Sequence, residues 1–386
     1  MLRSPSMPSP FLIKLASLAA AILLFCTLIP SLGAQTSDTP AAEPQSWTKT
    51  TESRPANLNP TRTTESHQGS SKGNIDKQSV ERLGADGHYE PYYDIEKESV
   101  QVNGTTVRTI ERTFARDASG QRILTQVTEE EKQTLPSGGE KLVRTTSNAG
   151  LDGHLQVAQR EVTNTKTISP ELQEKNTIVF LSNGQGGMAA SVQIQQREKR
   201  SADHTVDVQT STLLPDGSGN WQVHERKEST IKEDGKERTT DEQVLRPDVE
   251  GKLAPVSRTV GKESETAPGE KKSMIETYSP DASGSAQDTN LHLSQRVTTV
   301  KRRGSDGKQA TEKRVEQLNR VDPGAGLQVT TKARDTVQPG ASGTQTTSTV
   351  EARDVGGNFT VVSFDTQKSD NIHAVDVAIA PQNPAK

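Results

Sequence analysis

Turn signals recur along this chain at a spacing that few folds can use. From Asn103-Gly104 to Gly356-Gly357, short clusters such as Asp152-Gly153, Asp216-Gly217, Asp234-Gly235 and Asp306-Gly307 follow one another about every 17 residues. Asn-Gly and Asp-Gly supply the positive φ angles that tight hairpin turns need. Between the turns, Thr, Val and long charged side chains favour strands. Val206, Val208, Thr210, Thr212 and Leu214 line up at a period of two. So do Leu291, Leu293, Gln295, Val297 and Thr299, and Leu327, Val329, Thr331 and Ala333. That period marks a half-buried strand. The pattern predicts an all-β fold: an elongated antiparallel meander of long β-hairpin repeats, about 16 strands over residues 87–369.

Composition limits how such strands can be covered. Only 30% of the 386 residues are hydrophobic and 3% aromatic, while 25% are charged. Ordinary globular domains are roughly 45–50% apolar on a count that includes glycine. A thick core along the whole chain is therefore excluded, and a conventional compact enzyme is not expected. A thin apolar stripe across a wet sheet fits better, with cross-strand Thr–Thr and opposite-charge pairs supplying much of the stability. A lipid-facing band would need an apolar residue at every second position and aromatic girdles. Charges on both faces of these strands argue against it, so no transmembrane insertion is expected once the signal is removed.

Residues 1–34 have the order of a secretory signal: Arg3 and Lys14, an apolar run from Leu15 to Leu32 broken at Pro30, then Gly33 and Ala34 as small cleavage residues. Cys26 is the single cysteine and lies inside this run behind Phe25, which does not suit lipid attachment. The expected mature chain then has no disulfide and no thiolate. Residues 35–86, rich in Pro, Thr and Ser, read as a disordered linker, and 370–386 as a loose tail. Localisation is expected to be periplasmic or extracellular. The net charge of −4, with basic and acidic residues interspersed, argues against nucleic acid as a partner.

The densest polar and aromatic cluster is His88, Tyr89, Glu90, Tyr92, Tyr93 and Asp94, which with Trp221 forms the weak candidate set for carbohydrate stacking or another binding role. An aromatic cap over the first hairpin explains the cluster as well. His204 and His224 lie in alternating strands near turns, but no ligand spacing singles them out, and no metal or other cofactor is expected. Lys301-Arg302-Arg303 is the most basic stretch, with Asp306 and Glu312 close by, and reads as a charged sheet face. The chain holds no G-x-S-x-G elbow, P-loop or H-E-x-x-H. Residues Phe114 to Arg122 resemble the hairpin unit of YD (Rhs-type) repeats in their aspartate, glycine and arginine order. The tyrosines of that family are absent, so no residue role is carried over.

These features predict a non-enzymatic, exported β-repeat protein serving as an envelope or extracellular scaffold, spacer or adhesive surface. Partners would be an envelope component, a surface polysaccharide, or a protein bound by edge-strand addition. The alternative is a secreted polysaccharide hydrolase whose carboxylates converge only in the fold.

Overall fold

A computed structural model describes residues 46–374, apart from 56–57, 71–72, 118, 151, 281–289, 320–322, 341–342, 355 and 371–372. The expected signal segment, linker residues 35–45 and tail residues 375–386 lie outside the described residues. The strands are β1 (Ser46–Pro55), β2 (Thr61–Ser70), β3 (Gly73–Leu83), β4 (Tyr89–Asn103), β5 (Thr106–Arg116), β6 (Arg122–Thr134), β7 (Glu140–Ala149), β8 (Leu155–Ser169), β9 (Leu172–Ser182) and β10 (Met188–Arg200). They continue as β11 (Thr205–Pro215), β12 (Trp221–Asp234), β13 (Glu237–Pro247), β14 (Leu253–Ala267), β15 (Glu270–Pro280), β16 (Leu291–Arg303), β17 (Gln309–Leu318), β18 (Leu327–Gly340), β19 (Gly343–Arg353) and β20 (Phe359–Asp370). Each pairs antiparallel with the next, which gives the expected all-β meander.

The meander does not stay open. β1 pairs with β20, Thr51 opposite Ser369, Ser53 opposite Gln367 and Pro55 opposite Asp365. The Ser53 hydroxyl donates to the Asp365 carboxylate at 3.1 Å, and the Thr51 hydroxyl donates to that of Ser369 at 3.2 Å. A two-residue strand, β21 (His373–Ala374), adds to β1 beside this seam. Twenty strands thus close into a barrel, not an elongated sheet of about 16. Part of the difference comes from residues 46–83: expected to be linker, they form β1, β2 and β3. Their Thr, Ser, Gln and charged side chains need little burial because the ladder on both sides satisfies the backbone.

The wall is one sheet thick. Few apolar side chains are buried, Val80, Val179, Leu213 and Ile231 among them. Cross-strand polar pairs are the recurring contact, as expected. Thr163 and Thr177 hydroxyls meet at 2.7 Å, those of Ser99 and Thr109 at 3.0 Å, and Arg144 grips Glu130 at 2.6 Å. Each such pair contributes roughly 0.2–1 kcal/mol, so the wall is held by many small terms.

The two rims differ. At one rim, between β3 and β4 and at the described alternate turns thereafter, the loops are mostly longer and carry a left-handed glycine, a conformation that Gly138, Gly235, Gly269 and Gly307 also supply at the opposite rim. Gly87, Gly120, Gly153, Gly186 and Gly219 stand 33 residues apart with φ between 77° and 84°. The true repeat is therefore a two-strand unit of 33 residues. Within each unit, the strand leaving this rim bulges a few residues in. Tyr92, Thr125, Ala158, Ser191 and His224 are the extra residues in β4, β6, β8, β10 and β12, again 33 apart. The Thr125 hydroxyl donates to the Thr113 carbonyl at 3.0 Å, and Ser294 does the same to Thr277, satisfying carbonyls where the ladder is interrupted. A bulge also reverses which face the following residues occupy. Leu291 and Leu293 therefore point away from Gln295 and Val297, although the sequence period of two runs through all four. The opposite rim mixes two-residue turns, such as those between Asp234 and Glu237 and between Ala267 and Glu270, with longer loops at 135–139, 201–204 and 304–308.

Chirality decides which face is the outside. From β3 on, odd strands span 10–11 residues and even strands 12–15. Strands coil right-handedly around a barrel. Seen from outside, stepping right along the ladder then descends, so a long upward strand must have its short successor on its right. On an upward strand of L-residues, a side chain facing the viewer goes with N–H and C=O groups pointing right. Asp234 and Glu237 flank a two-residue turn and pair with each other across β12 and β13. Asp234 therefore faces outward, and the registers carry that assignment around the ring.

Candidate functional site

The inner face follows from those registers. It carries Thr163, Thr177, Glu161 and Lys175 on β8 and β9, Glu130 and Arg144 on β6 and β7, and Thr240 and Glu242 on β13. The same face carries Val80, Leu142, Val179, Ile231, Val297 and Val315, so the lumen wall mixes hydroxyl, aliphatic and charged side chains of both signs. Twenty strands at about 4.8 Å spacing, tilted 35–45°, enclose a backbone ring roughly 40 Å across. Among the described residues the one helical element is a single 3₁₀ turn, Pro323–Ala325.

The outer face divides into two zones. In the first outward position after each bulged-rim turn, β4 to β20 present Tyr89, Leu155, Met188, Trp221, Leu253 and Phe359 together with Leu291 and Leu327; only Arg122 breaks the row. Arg122 itself lies 3.5 Å over the Phe114 ring. The next outward position is apolar in all nine even strands, from Pro91 through Val157 and Val223 to Val361. The partner strands add Phe180, Leu213 and Tyr278 at the same height. Of the ten aromatic residues described, only Trp47 is remote from this rim. The collar is broken at β1 and β2, where Arg54, Arg62 and Glu52 stand.

Just past the bulges, five of the nine even strands place a basic residue at one equivalent outward position, Arg160, Arg226, Arg258, Arg296 and Lys332, where the other four carry Asp94, Val127, Gln193 and Phe364. Arg258 bonds Asp241 and Arg296 bonds Glu276, while Lys332 Nζ lies 4.0 Å above the Phe359 ring. Beyond this row the outer face is a lattice of ion pairs, including Arg302 with Glu270 at 2.8 Å and with Glu312 at 3.1 Å. The basic stretch at Lys301-Arg302-Arg303 belongs to this lattice, with Arg302 outward.

The sequence-predicted site residues do not form one pocket. Tyr89 and Trp221 are the same position of the repeat, four units apart, both outward in the collar. Arg62 lies 4.0 Å over the Tyr89 ring. Tyr92 is the bulge residue and packs edge-on to Tyr93, which faces the lumen, with centroids 5.5 Å apart. Asp94 points outward and holds Arg116 at 2.8 Å and Arg122 at 3.2 Å. His88 ends the β3–β4 turn and donates its backbone N–H to Asp86, and Glu90 lies at the start of β4. His204 and His224 sit at opposite rims and cannot meet. The 33-residue spacing was the signal that would have joined Tyr89 to Trp221 and revealed the collar.

Turn carboxylates order the rims. Asp216 accepts the backbone N–H groups of Asn220 and Ser218, which holds its acidity below the ordinary carboxylate range. Asp117 is lowered likewise, first by the Ser119 hydroxyl and then by the Gln121 N–H.

No protein-family model and no curated protein matches the chain. Among solved structures it is similar to the copper transporter OprC, with 8% identity over 85% of this chain and 80% of that one and a TM-score of 0.43. It is similar also to Pseudomonas aeruginosa OpdK with vanillate, at 11% identity over 84% and 96% with a TM-score of 0.39. The siderophore receptor PirA from Pseudomonas aeruginosa gives 9% identity over 85% and 80% with a TM-score of 0.42. No functional residue is carried from them to this chain.

The closed wall corrects the functional expectation. A spacer, scaffold or adhesive sheet recruiting partners by strand addition needs a free edge, and the β1–β20 seam removes the edge that the open meander would have exposed. The hydrolase alternative needs two carboxylates across one cleft. Two recesses of the described wall, one lined by Gln317, Arg353 and Asp354 and one by Ile75, Glu98 and Val100, each hold a single carboxylate.

Proposed function

We propose that this chain forms a wide, water-filled conduit of the bacterial envelope that passes hydrophilic solutes and performs no chemistry on them. The observation that carries this reading is the β1–β20 seam, which turns the meander into a tube whose inner face includes hydroxyl and charged side chains of both signs. The secretory signal expected in residues 1–34 supports an envelope address. The mixed charge of the inner wall fits passage of polar solutes of either sign over selection of one ion type.

The outer wall sets a limit on how the tube meets lipid. A wall that spans a bilayer as a barrel shows an apolar band about 25 Å tall. Here the apolar zone is two outward positions per strand, or about 7–10 Å. The conduit therefore meets lipid at one rim at most, and the rest of the wall stands in water.

Size-graded thiol labelling tests the open lumen. Thr177→Cys and Thr259→Cys place single thiols on the inner face in a Cys26→Ser background. Both are expected to react with a small maleimide and with one carrying a polymer roughly 20 Å across. Reaction with the small reagent alone would mean a filled or collapsed lumen and would remove the conduit reading.

A further inference from the structure

The collar has an occupant that its shape selects. We infer that the bulged rim seats the barrel in the surface layer of a lipid bilayer, apolar collar in the headgroup–acyl boundary and the basic residues behind it against anionic headgroups. This deepens the conduit reading and rests on its closed wall.

Three observations carry the inference. The first is extent. The collar recurs on all nine even strands from β4 to β20 and on β9, β11 and β15 between them, with charged residues such as Glu81, Arg116, Glu316 and Arg353 interspersed on other odd strands. A second copy standing alongside, or a single bound protein, covers an arc of a cylinder. A fluid layer covers a ring. The second is height. Interfacial elements bury apolar side chains about 5–10 Å into the headgroup and acyl boundary, which matches two outward positions and falls well short of a span. The third is layering. Aromatic side chains such as Tyr89, Trp221 and Phe359 share the collar with Leu and Val, and five basic residues, of which Arg258 and Arg296 are paired with carboxylates, lie immediately behind it on the watery side. Amphipathic rings favour the headgroup level, and basic side chains near anionic lipids add attraction. Leu155 and Val157 each expose 42% of their surface and Val361 58%, so the collar is uncovered in the isolated chain.

The chain carries its own probes. Trp221 lies in the collar, whereas Trp47 lies at the opposite rim on the inner face, stacked on His67 at 5.9 Å. The test uses the full chain as W47F and as W221F, mixed with vesicles of phosphatidylglycerol and phosphatidylcholine brominated in the acyl chains. In W47F, the remaining Trp221 fluorescence is expected to fall about twofold or more, and the effect is expected to weaken severalfold when phosphatidylglycerol is omitted. In W221F, the remaining Trp47 fluorescence is expected to stay unchanged. Absence of quenching in both variants overturns the inference, as does equal quenching in both, which would mean insertion through the full height of the wall. The same samples are scored for an engineered Ser53→Cys, Gln367→Cys disulfide. Quenching lost while that disulfide forms removes the collar assignment alone. A disulfide that fails to form removes the closed wall beneath both readings.

Discussion

The two rims of the barrel are built from the same strands and reach different solutions. At the bulged rim, the strands leaving the turns carry an extra residue and nine of the ten described aromatic side chains gather, with left-handed glycines spaced 33 residues apart from Gly87 to Gly219. At the other rim two-residue turns are mixed with longer loops and the outer wall is a lattice of ion pairs. Apolar content this low cannot make a core, but concentrated at one rim it makes a surface with a direction. The difference teaches that hydrophobicity is used here for orientation, while polar ladders and cross-strand pairs hold the fold.

The sharpest way to break this contrast is to charge each rim in turn. Leu155→Glu with Leu253→Glu removes two collar side chains, each worth about 1.5–3 kcal/mol when buried. Association with anionic vesicles is expected to fall roughly a hundredfold or more by sedimentation. Ile75→Glu with Val100→Glu, outward positions near the opposite rim, is expected to change it by less than about twofold. Equal losses from the two pairs would erase the distinction between rims.

Smaller effects probe the bulges and turns. Thr125→Val strips the hydroxyl that satisfies the Thr113 carbonyl and is expected to cost about 1 kcal/mol in denaturant melts. The same exchange at Thr134, paired with Glu140 in the unshifted β6–β7 ladder near the opposite rim, is expected to cost less than about 0.5 kcal/mol. Gly219→Ala meets no atom within 4 Å but must keep φ at 84°. A left-handed L-residue costs about 1–2 kcal/mol, partly offset by a stiffer unfolded chain, so the net loss is expected near 0.5–1 kcal/mol. At the opposite rim His204 already holds φ at 61°, and His204→Gly is expected to stabilise by roughly 0.5 kcal/mol for the converse reason.

Acid is the one treatment expected to treat the rims alike. Asp117 and Asp216 at the bulged rim, and Asp203 and Asp306 at the other, are all held below the unfolded value of 3.8 by hydrogen bonds within their turns. A lowered folded pKa means that each contributes stability above the unfolded value and loses it as the pH falls through the folded one. Thermal melts at pH 7 and pH 3 are expected to show a smaller acid-induced drop in either Asp→Asn pair, Asp117 with Asp216 or Asp203 with Asp306, than in the unaltered chain. A change confined to one rim would count against the shared turn chemistry.

Local structure was legible from the residues, and global closure was not. Asn-Gly and Asp-Gly placed the turns, and alternation placed β11 (Val206 to Leu214) on a single face correctly. Alternation failed across the bulges, where an added residue such as Ser294 leaves the sequence period intact while reversing the face. The 33-residue unit was hidden because both rims use Gly-based turns and merged into one series of about 17. Residues 46–83 read as linker because Thr, Ser, Gln and charge offer no burial signal. Strands in this wall need none, being held by neighbours on both sides. Closure rests on a pairing between residues 51–55 and 365–369, polar at both ends and more than 300 positions apart, and no local pattern announces it. Charges on both faces of the strands weigh against a lipid-spanning wall and say nothing about closure. Closure depends on backbone pairing alone and carries no requirement for lipid. Tyr89 and Trp221 were chosen singly for their aromatic character; their equivalence within the repeat appeared only with the registers.

The most direct measurement is the disulfide across the seam. Ladder partners lie about 4.5–5.5 Å apart between Cα atoms, within reach of a disulfide, and Cys26 is the one native thiol. The full chain carrying Cys26→Ser, Ser53→Cys and Gln367→Cys should oxidise to an intramolecular crosslink, seen as faster migration in non-reducing gels and as a linked peptide in mass spectrometry. A control pairing Ser53→Cys with Thr259→Cys, on a strand across the ring, should give none. An open meander would put residues 53 and 367 at opposite ends of a long sheet. Free thiols at both positions, or crosslinks only between molecules, would contradict the barrel and everything built on it.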